Sequence, residues 1–150
     1  MEITVKPVAF VRSEVKARKD VGWGTDVSTL KLEPAYAGGL AGLSDFSHAI
    51  IVTYLDQAKF DPEKHLQRRP QNRADMPLTG IFAQRGKDRP NQIGVTAVEI
   101  LAAAEDALTV RGLDAVDGTP VLDIKPYFPM YDKREAVVPE WVTRLMEHYF

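Results

Sequence analysis

The chain has 150 residues, of which 45% are hydrophobic and 27% are charged, and its formal net charge is −2. This length and composition predict one globular domain that spans residues 1–150 and buries a real core. The absence of cysteine excludes disulfide bonds, thiolate zinc sites and a cysteine nucleophile. No apolar run is long enough to span a bilayer and the N-terminus lacks the pattern of a signal peptide, so we expect a cytoplasmic protein with no membrane segment. The three histidines show no close metal-ligand spacing, so no metal site is predicted.

Strand patterns dominate the first half of the chain. Alternation of apolar and polar residues predicts strands over Ile3 to Val11 and Ser28 to Glu33. A small, Gly-rich stretch from Pro34 to Leu43 fits one helical turn. The nearly continuous apolar run from His48 to Leu55 predicts a central strand covered on both faces. The polar insertion from Asp61 to Met76 is expected to be a surface loop or partly disordered.

The second half of the chain continues the same pattern. Further strands are predicted over Thr79 to Ala83, Ile93 to Ala103, Ala107 to Leu113 and Val121 to Ile124. Ala102 to Asp106 favours a helix by propensity, although context can override it. The segment from Pro139 to Tyr149 predicts a terminal helix, and Asp117-Gly118 is a turn signal. Many short strands with one terminal helix, and no glycine pattern of a Rossmann fold, predict a mainly all-β barrel or sandwich.

A polar loop from Gln84 to Thr96 lies between two of these apolar segments. Loops of this kind on an apolar scaffold often carry binding or catalytic residues, although the same residue types also fit a solvated turn. Pro90 fixes its own φ and pushes Arg89 towards an extended conformation, while Gly86 and Gly94 permit angles that other residues resist. The loop is therefore expected to have a defined shape.

Positive charge is concentrated just before and within this loop. Between Lys64 and Arg89 the only acidic residues are Asp75 and Asp88. The cations are Lys64, Arg68, Arg69, Arg73, Arg85, Lys87 and Arg89. Attraction to phosphate is local and is screened over about 8–10 Å, so this cluster suits RNA despite the negative net charge. A solvated surface loop explains it equally well.

Three segments carry a resemblance to a known family. The run Arg85 to Thr96, RGKDRPNQIGVT, resembles the RxxxRPNxIGx(S/T) signature of the TrmO/TsaA-like (YaeB) family. Gly42 to His48 resembles the family's GLxxFSH, and Leu113 to Tyr127 resembles its DxxDGTPVLDIKPY, while Pro7 to Ser13 is similar to its first strand. Gln92 stands where the family usually has a proline, and many members carry a further C-terminal domain linked to tRNA binding.

The resemblance implies a small single-domain β-barrel with short helices in its connections. It implies an S-adenosylmethionine-dependent methyltransferase that N6-methylates threonylcarbamoyl-adenosine next to the tRNA anticodon, and a homodimer with the cofactor site near its interface. By position, the implied cofactor contacts are Lys19, Asp20, Val21, Gly22, Asp56, Gln57, Arg85, Val95, Asp114, Ala115, Val116 and Asp117.

The remaining site residues follow from the chemistry that the resemblance implies. Adenine N6 is a poor nucleophile, so Asp88 or Asn91 is expected to orient it. The expected RNA contacts are Arg68, Arg69, Arg73, Lys87 and Arg89. Turn chemistry alone also explains Asp114 and Asp117, and Asn91 fits a loop cap equally well. Two other functions remain open: a non-catalytic RNA-binding barrel, and a small-molecule methyltransferase or cofactor sensor.

The chain after Asp123 is rich in large apolar groups. In the terminal helix, Trp141, Leu145 and Met146 are expected to form the packing stripe. Exposed together, the apolar groups of this tail would exceed the patch size that monomers tolerate, which favours burial against a second copy. The alternative is a tail that wraps its own barrel and closes one end.

Overall fold

The computed structural model describes residues 1–150. Six antiparallel strands close into a barrel in the order β1-β2-β7-β6-β3-β8, and two short strands, β4 and β5, pair with each other outside it. The strands are β1 (Ala9–Ser13), β2 (Val27–Leu32), β3 (His48–Tyr54), β4 (Gln67–Arg68), β5 (Thr79–Gly80), β6 (Ile93–Ala104), β7 (Ala107–Arg111) and β8 (Pro120–Pro126). The predicted mainly-β barrel is therefore confirmed.

Short helices fill the connections between strands. The α-helices are α1 (Pro62–His65), α2 (Pro129–Asp132) and α3 (Glu140–Met146). Turns of 3₁₀ helix occur at Trp23–Thr25, Pro34–Leu40, Leu43–Asp45, Pro70–Asn72 and Ile81–Ala83. None of the helices is both long and apolar enough to cross a membrane.

The core fills the barrel interior through the two-residue period of its strands. Leu30 on β2, Leu108 and Val110 on β7 and Val121 on β8 have no accessible surface. On β3, alternate residues from Ala49 to Thr53 are buried, while the residues between them are partly exposed. The expectation that this strand is covered on both faces is therefore wrong, because a barrel strand packs its inner face on the core and turns its outer face away from it.

The insertion from Asp61 to Met76 lies on the surface, as expected, but it is folded rather than partly disordered. It contains α1 and β4, and its end, Met76, is only 1% exposed. The side-chain amide of the buried Gln84 donates to the carbonyls of Arg68 at 2.8 Å and Thr79 at 2.9 Å. The Gln84 side chain thus ties the insertion to the segment that follows it, which sequence pattern does not show.

Strand pairing overrides helix propensity where β6 meets β7. The register joins Ala104 to Ala107, so Glu105 and Asp106 form a tight two-residue connection, and Glu105 has a φ of 54°. The alanines before it belong to β6, where pairing with β7 outweighs a preference worth a fraction of a kcal/mol each.

The other element boundaries differ from the sequence predictions mainly at their ends. The first strand begins only at Ala9, and of the predicted strand from Thr79 to Ala83 only the first two residues pair. The terminal helix is confirmed as α3. Within the expected packing stripe, Trp141 and Leu145 are half-buried but Met146 is exposed.

Gly94 allows β3 and β6 to approach closely, and this gives a stability prediction. A Cβ at Gly94 would lie 2.6 Å from Oγ1 of the buried Thr53, its partner in register. We expect Gly94→Ala to lower the free energy of unfolding by about 1–3 kcal/mol, because a β-branched buried side chain cannot move aside. Urea denaturation measures this change. Gly39→Ala, where a Cβ meets nothing within 4 Å, is the control; equal stability of both variants would contradict the packing argument.

Candidate functional site

Asp114 joins three distant parts of the chain. Its Oδ1 accepts a hydrogen bond from the Thr96 hydroxyl on β6, and its Oδ2 accepts one from the Tyr149 hydroxyl at 2.5 Å. Tyr149 follows α3, so the loop after β7, the start of β6 and the C-terminal segment meet at this carboxylate. Asp114 is only half-buried. Since each carboxylate oxygen has two lone pairs, both can accept a second donor from a ligand.

Charged groups surround the Tyr149 hydroxyl. Burial raises the pKa of Tyr149 well above its usual range, the Asp114 carboxylate and the Asp20 charge raise it further, and Arg85 acts in the opposite sense. The hydroxyl is therefore a hydrogen-bond donor throughout the physiological pH range. The charges of Asp20, Arg85 and Asp114 therefore all act on the Tyr149 hydroxyl. These residues come from three different segments that the sequence predicts as cofactor contacts.

Arg85 is held where the motif loop enters β6. Its Nη2 donates to the carbonyl oxygen of Val95 at 2.5 Å, and the rest of the guanidinium lies exposed. This contact fixes the direction of the side chain and leaves further N–H donors free. Arg85 and Val95, both predicted as ligand contacts, are therefore adjacent.

The N-terminal loop is held by its own lysine. Lys19 Nζ lies 2.5 Å from an Asp26 carboxylate oxygen, donates to the Gly22 carbonyl at 3.1 Å, and lies 4.9 Å from the centre of the Trp23 ring. Gly22 has a φ of 74°, which favours glycine. Lys19 thus shapes the loop, while Asp20, Val21 and Gly22 are exposed.

The contacts of Asp117 connect two loops of the chain. It accepts from the Ser13 backbone N–H at 3.0 Å and pairs with Lys16 at 3.0 Å. The Ser13 N–H, and then the Lys16 ammonium, lower the pKa of its carboxyl. These contacts match the turn interpretation of Asp117 and tie the loop after β1 to the loop before β8.

The other predicted cofactor residues make no side-chain hydrogen bond to Asp114. The side chains of Ala115 and Val116 are buried, so they offer backbone groups at most. Asp56 and Gln57 are exposed, and their one link to the N-terminal loop is the bond from Arg18 Nη1 to the Gln57 carbonyl at 3.5 Å. Hydrogen bonds and charge thus join Asp20, Arg85, Val95 and Asp114, whereas Asp56 and Gln57 lie beside the loop.

Sequence reasoning missed Thr96 and Tyr149. Thr96 occupies the last position of the motif, where the family signature has Ser or Thr. Since both residues carry a hydroxyl, this position was a signal for a hydroxyl role. Tyr149 carried no such signal, because it lies 35 positions from its partner Asp114.

Asp88, which the sequence predicts to orient a substrate, anchors the motif loop in the structure. Its side chain, 13% exposed, accepts from the Lys59 backbone N–H at 3.1 Å and pairs with Arg68 and Lys87, each at 3.2 Å. Burial raises the pKa of Asp88, but the Lys59 N–H and the Lys87 charge lower it more, and the net shift is downward. A low-pKa carboxylate that already has three donors is a poor proton acceptor.

Asn91 has the opposite environment. It is exposed, and the hydrogen bonds of the loop use its carbonyl but not its side chain. Arg89, next to Pro90, donates to the carbonyls of Gln84 at 3.0 Å and Gly86 at 3.2 Å, which closes the loop below it. Of the two predicted substrate-orienting residues, Asn91 is the accessible one.

Most residues of the basic cluster form hydrogen bonds or ion pairs with other groups of the chain. Besides its pair with Asp88, Arg68 donates to Asn72 at 3.0 Å, and Arg69 donates to the Met76 carbonyl. Arg73 makes two bonds to Asp75, at 3.0 and 2.7 Å. These contacts shape the insertion. Contact of Arg68, Arg69, Arg73, Lys87 and Arg89 with RNA stays a prediction.

Two surface clefts lie apart from Asp114. The larger, of about 560 Å³, is lined by residues of the N-terminal segment and of the Pro34–Leu40 turn, including Phe10 and Tyr36. The second, of about 400 Å³, is lined by β1 and β2 and contains Asp117. The larger cleft includes none of the predicted site residues, whereas the opposite charges of Arg85 and Asp114 both act on the Tyr149 hydroxyl and give this cluster the more specific chemistry.

Comparison with known proteins identifies what this arrangement resembles. A family model described as the tRNA-methyltransferase O N-terminal domain matches residues 13–133. A probable S-adenosyl-L-methionine-binding protein of Methanothermobacter thermautotrophicus is 37% identical over 136 residues, which are 88% of this chain and 95% of that protein. The mouse tRNA (adenine(37)-N6)-methyltransferase is 38% identical over 96 residues, which are 62% of this chain but 21% of that protein.

A solved structure shows the same architecture. The crystal structure of TrmO from Pseudomonas aeruginosa superposes with a TM-score of 0.74 at 30% sequence identity, covering 94% of this chain and 63% of that one. The chain thus spans less than two thirds of the solved protein.

The role of Asp88 as an anchor gives a prediction for stability and its pH dependence. We expect Asp88→Asn to lower the free energy of unfolding at neutral pH by about 1–3 kcal/mol, because it weakens charge-assisted bonds of a nearly buried group. The folded-state pKa lies below the unfolded value of about 3.9, so this stability is present above that pH and is lost as pH falls through the folded pKa. Urea denaturation at several pH values measures both effects.

The matched control for Asp88→Asn is Asp45→Asn, which changes an exposed aspartate whose side chain makes no hydrogen bond. We expect a change of less than about 0.5 kcal/mol at any pH. An Asp88→Asn variant as stable as the control would exclude the anchoring role.

Proposed function

We propose, because the chain belongs to the tRNA-methyltransferase O family, that it transfers a methyl group from S-adenosylmethionine to N6 of an adenine in tRNA. The family model covers the whole of the loop from Arg85 to Thr96 and of the segment from Leu113 to Tyr127, and relatives are named for the cofactor or for this reaction. The convergence of the family motif and the Asp114 loop on one point of the barrel is the observation that carries the proposal.

The proposed substrate is threonylcarbamoyl-adenosine next to the anticodon. The name of the mouse relative gives adenine 37 and its N6 atom as the target of that protein, and the threonylcarbamoyl group is the finer part of the proposal. For a tRNA substrate, we propose the cytoplasm as the location of this activity.

The residues around Tyr149 fit the chemistry of the cofactor. S-adenosylmethionine carries a carboxylate, an ammonium group, a ribose and an adenine, and its sulfonium supplies an activated methyl group. Arg85 offers a planar fork that suits a carboxylate, and Asp114 offers acceptor lone pairs for the ammonium or the ribose hydroxyls. The exposed side chain of Val95 offers an apolar contact for a ring.

The contribution of the chain to this reaction is placement. Methyl transfer is an in-line displacement, and much of its acceleration comes from holding the two reactants in the right geometry. The bonds of Asp88 and Arg89 hold the motif loop in one shape, with Arg85 at one end and Asn91 exposed near the other. We assign Asn91 the role of orienting the adenine amino group, because Asp88 is already occupied by three donors.

One specific observation favours a second candidate function. The basic residues predicted to contact RNA are mostly paired within the chain, and the Methanothermobacter relative, whose length this chain matches, is named for cofactor binding alone. A cofactor-binding protein or methyltransferase with a small-molecule acceptor accounts for both facts. A non-catalytic RNA-binding barrel does not explain why Arg85 and Asp114 both lie beside the Tyr149 hydroxyl.

The activity is tested by methyl transfer from labelled S-adenosylmethionine to tRNA with and without the threonylcarbamoyl group. We expect label in the modified tRNA, and micromolar binding of the cofactor by calorimetry, equivalent to about 8 kcal/mol. Arg85→Lys should weaken cofactor binding about tenfold, because an ammonium cannot reproduce the bidentate fork. Arg134→Lys, which changes an exposed arginine bonded only to the neighbouring Lys133 carbonyl, is the control.

The outcomes separate the candidate functions. If the chain binds the cofactor but neither methylates nor binds tRNA, the proposal of a tRNA substrate is overturned and a small-molecule acceptor is favoured. Binding of tRNA without any binding of S-adenosylmethionine would overturn the enzyme and leave an RNA-binding barrel.

We also propose that the chain forms a homodimer through its C-terminal segment. Met130 is 83% and Tyr131 74% exposed, and Phe128, Val137 and Val138 are exposed beside them in sequence. A second copy related by a two-fold axis is the simplest cover for several large apolar groups exposed in one segment.

Light scattering at low micromolar concentration tests this proposal. We expect the mass of a dimer for the wild-type chain and a shift towards the monomer for Met130→Ser combined with Tyr131→Ser. Phe82→Ser, which changes an apolar residue that is 80% exposed in a different loop, is the matched control. A monomeric wild-type chain with full cofactor affinity would contradict the proposal.

A further inference from the structure

The last residues of the chain dock on the N-terminal loop. The Gly22 N–H donates to the His148 carbonyl and the Trp23 N–H donates to the Tyr149 carbonyl, both at 2.8 Å. These are backbone bonds, so they fix the path of the chain independently of its side chains. The C-terminal segment therefore has one defined position beside residues 22–24, next to the exposed Asp20.

Gly24 makes this close approach possible. A Cβ at Gly24 would lie 2.6 Å from the Phe150 carbonyl carbon and 3.1 Å from its Cα. Both are backbone atoms, which cannot rotate away as a side chain can. The loop is thus shaped to receive the segment, and Tyr149 and Phe150 also pack edge to face, with ring centroids 4.8 Å apart.

Docking directs the Tyr149 side chain to Asp114. The ring is largely buried, and its hydroxyl donates to Asp114 Oδ2 while Thr96 donates to Oδ1. Two donors on opposite oxygens hold a carboxylate against rotation about its last bond. The remaining lone pairs then point in fixed directions, and this is the preorganisation that binding sites gain from supporting residues.

We propose that Tyr149 is a positioning residue of the cofactor site. Its hydroxyl orients the Asp114 carboxylate for the ammonium or ribose of S-adenosylmethionine, and the docked C-terminal segment connects this carboxylate to the loop that carries Asp20. This inference rests on the proposed function, and it assigns a role to a segment that lies beyond residues 13–133, the part that matches the family model.

Tyr149→Phe removes the hydroxyl but keeps the ring and its packing. We expect it to weaken binding of S-adenosylmethionine and of S-adenosylhomocysteine about tenfold by calorimetry, which is the loss expected for one hydrogen bond to a charged group. We expect the affinity for tRNA, measured in the absence of cofactor, to stay within twofold of wild type, a split that a general loss of structure would not produce. Tyr36→Phe, which removes the hydroxyl of a partly exposed tyrosine in the cleft near Phe10, is the matched control.

A second variant tests the docking rather than the hydroxyl. Gly24→Ala must displace the Phe150 backbone, so we expect the same loss of cofactor affinity with Tyr149 intact. Gly38→Ala, where a Cβ meets nothing within 4 Å, is its control. Melting curves of the free variants show whether each one is folded under the conditions of the titration.

The outcomes distinguish this inference from the function on which it rests. A wild-type chain that binds no S-adenosylmethionine would overturn both. If the wild type binds the cofactor and Tyr149→Phe binds it with equal or higher affinity, only the positioning role of Tyr149 is overturned. Equal losses of cofactor and tRNA affinity would also overturn it, since they would mark a structural defect.

Discussion

The pairing of β6 with two different neighbours is the constraint on which the rest of the structure depends. The first half of this strand pairs with β3 from Ile93 to Glu99, and the second half pairs with β7 from Glu99 onwards. Glu99 is the point of change, and its carboxylate bonds Arg111 on β7 at 2.9 Å. The end of the motif loop, from Ile93 to Thr96, is therefore part of a barrel strand. On this strand, Thr96 lies next to the loop that contains Asp114.

The charged residues around the site are organised by side-chain bonds to the backbone rather than by simple ion pairing. Arg85, Arg89 and Asp88 each bond at least one main-chain group of the loop or of its neighbour. Exposed ion pairs contribute little to stability, but a charge that satisfies backbone groups also fixes a loop conformation. This explains how a segment so polar keeps a defined shape.

The sequence predicts the parts of this structure that depend on local pattern. Alternation predicts β2 and a nearly continuous apolar run predicts β3, each close to its observed bounds. The motif segments predict Arg85, Val95 and Asp114 as cofactor contacts, which remains a prediction. The helix preference of the alanines before Glu105 was wrong because pairing with β7 is a long-range interaction. Tyr149 was missed for the same reason, since no periodicity connects a residue after α3 with a loop after β7.

The C-terminal segment has two parts with different surroundings. Its end wraps the barrel of its own chain, because His148 and Tyr149 use backbone groups to bond the N-terminal loop. The part around α2 does not, since Met130 and Tyr131 remain exposed. Wrapping and the proposed association are therefore compatible, because the end of the segment contacts Asp114 while the part around α2 leaves an apolar surface for a second copy. Because the two parts are joined through α3, burial of the part around α2 in the proposed dimer would also restrict the motion of the C-terminal end and of Tyr149.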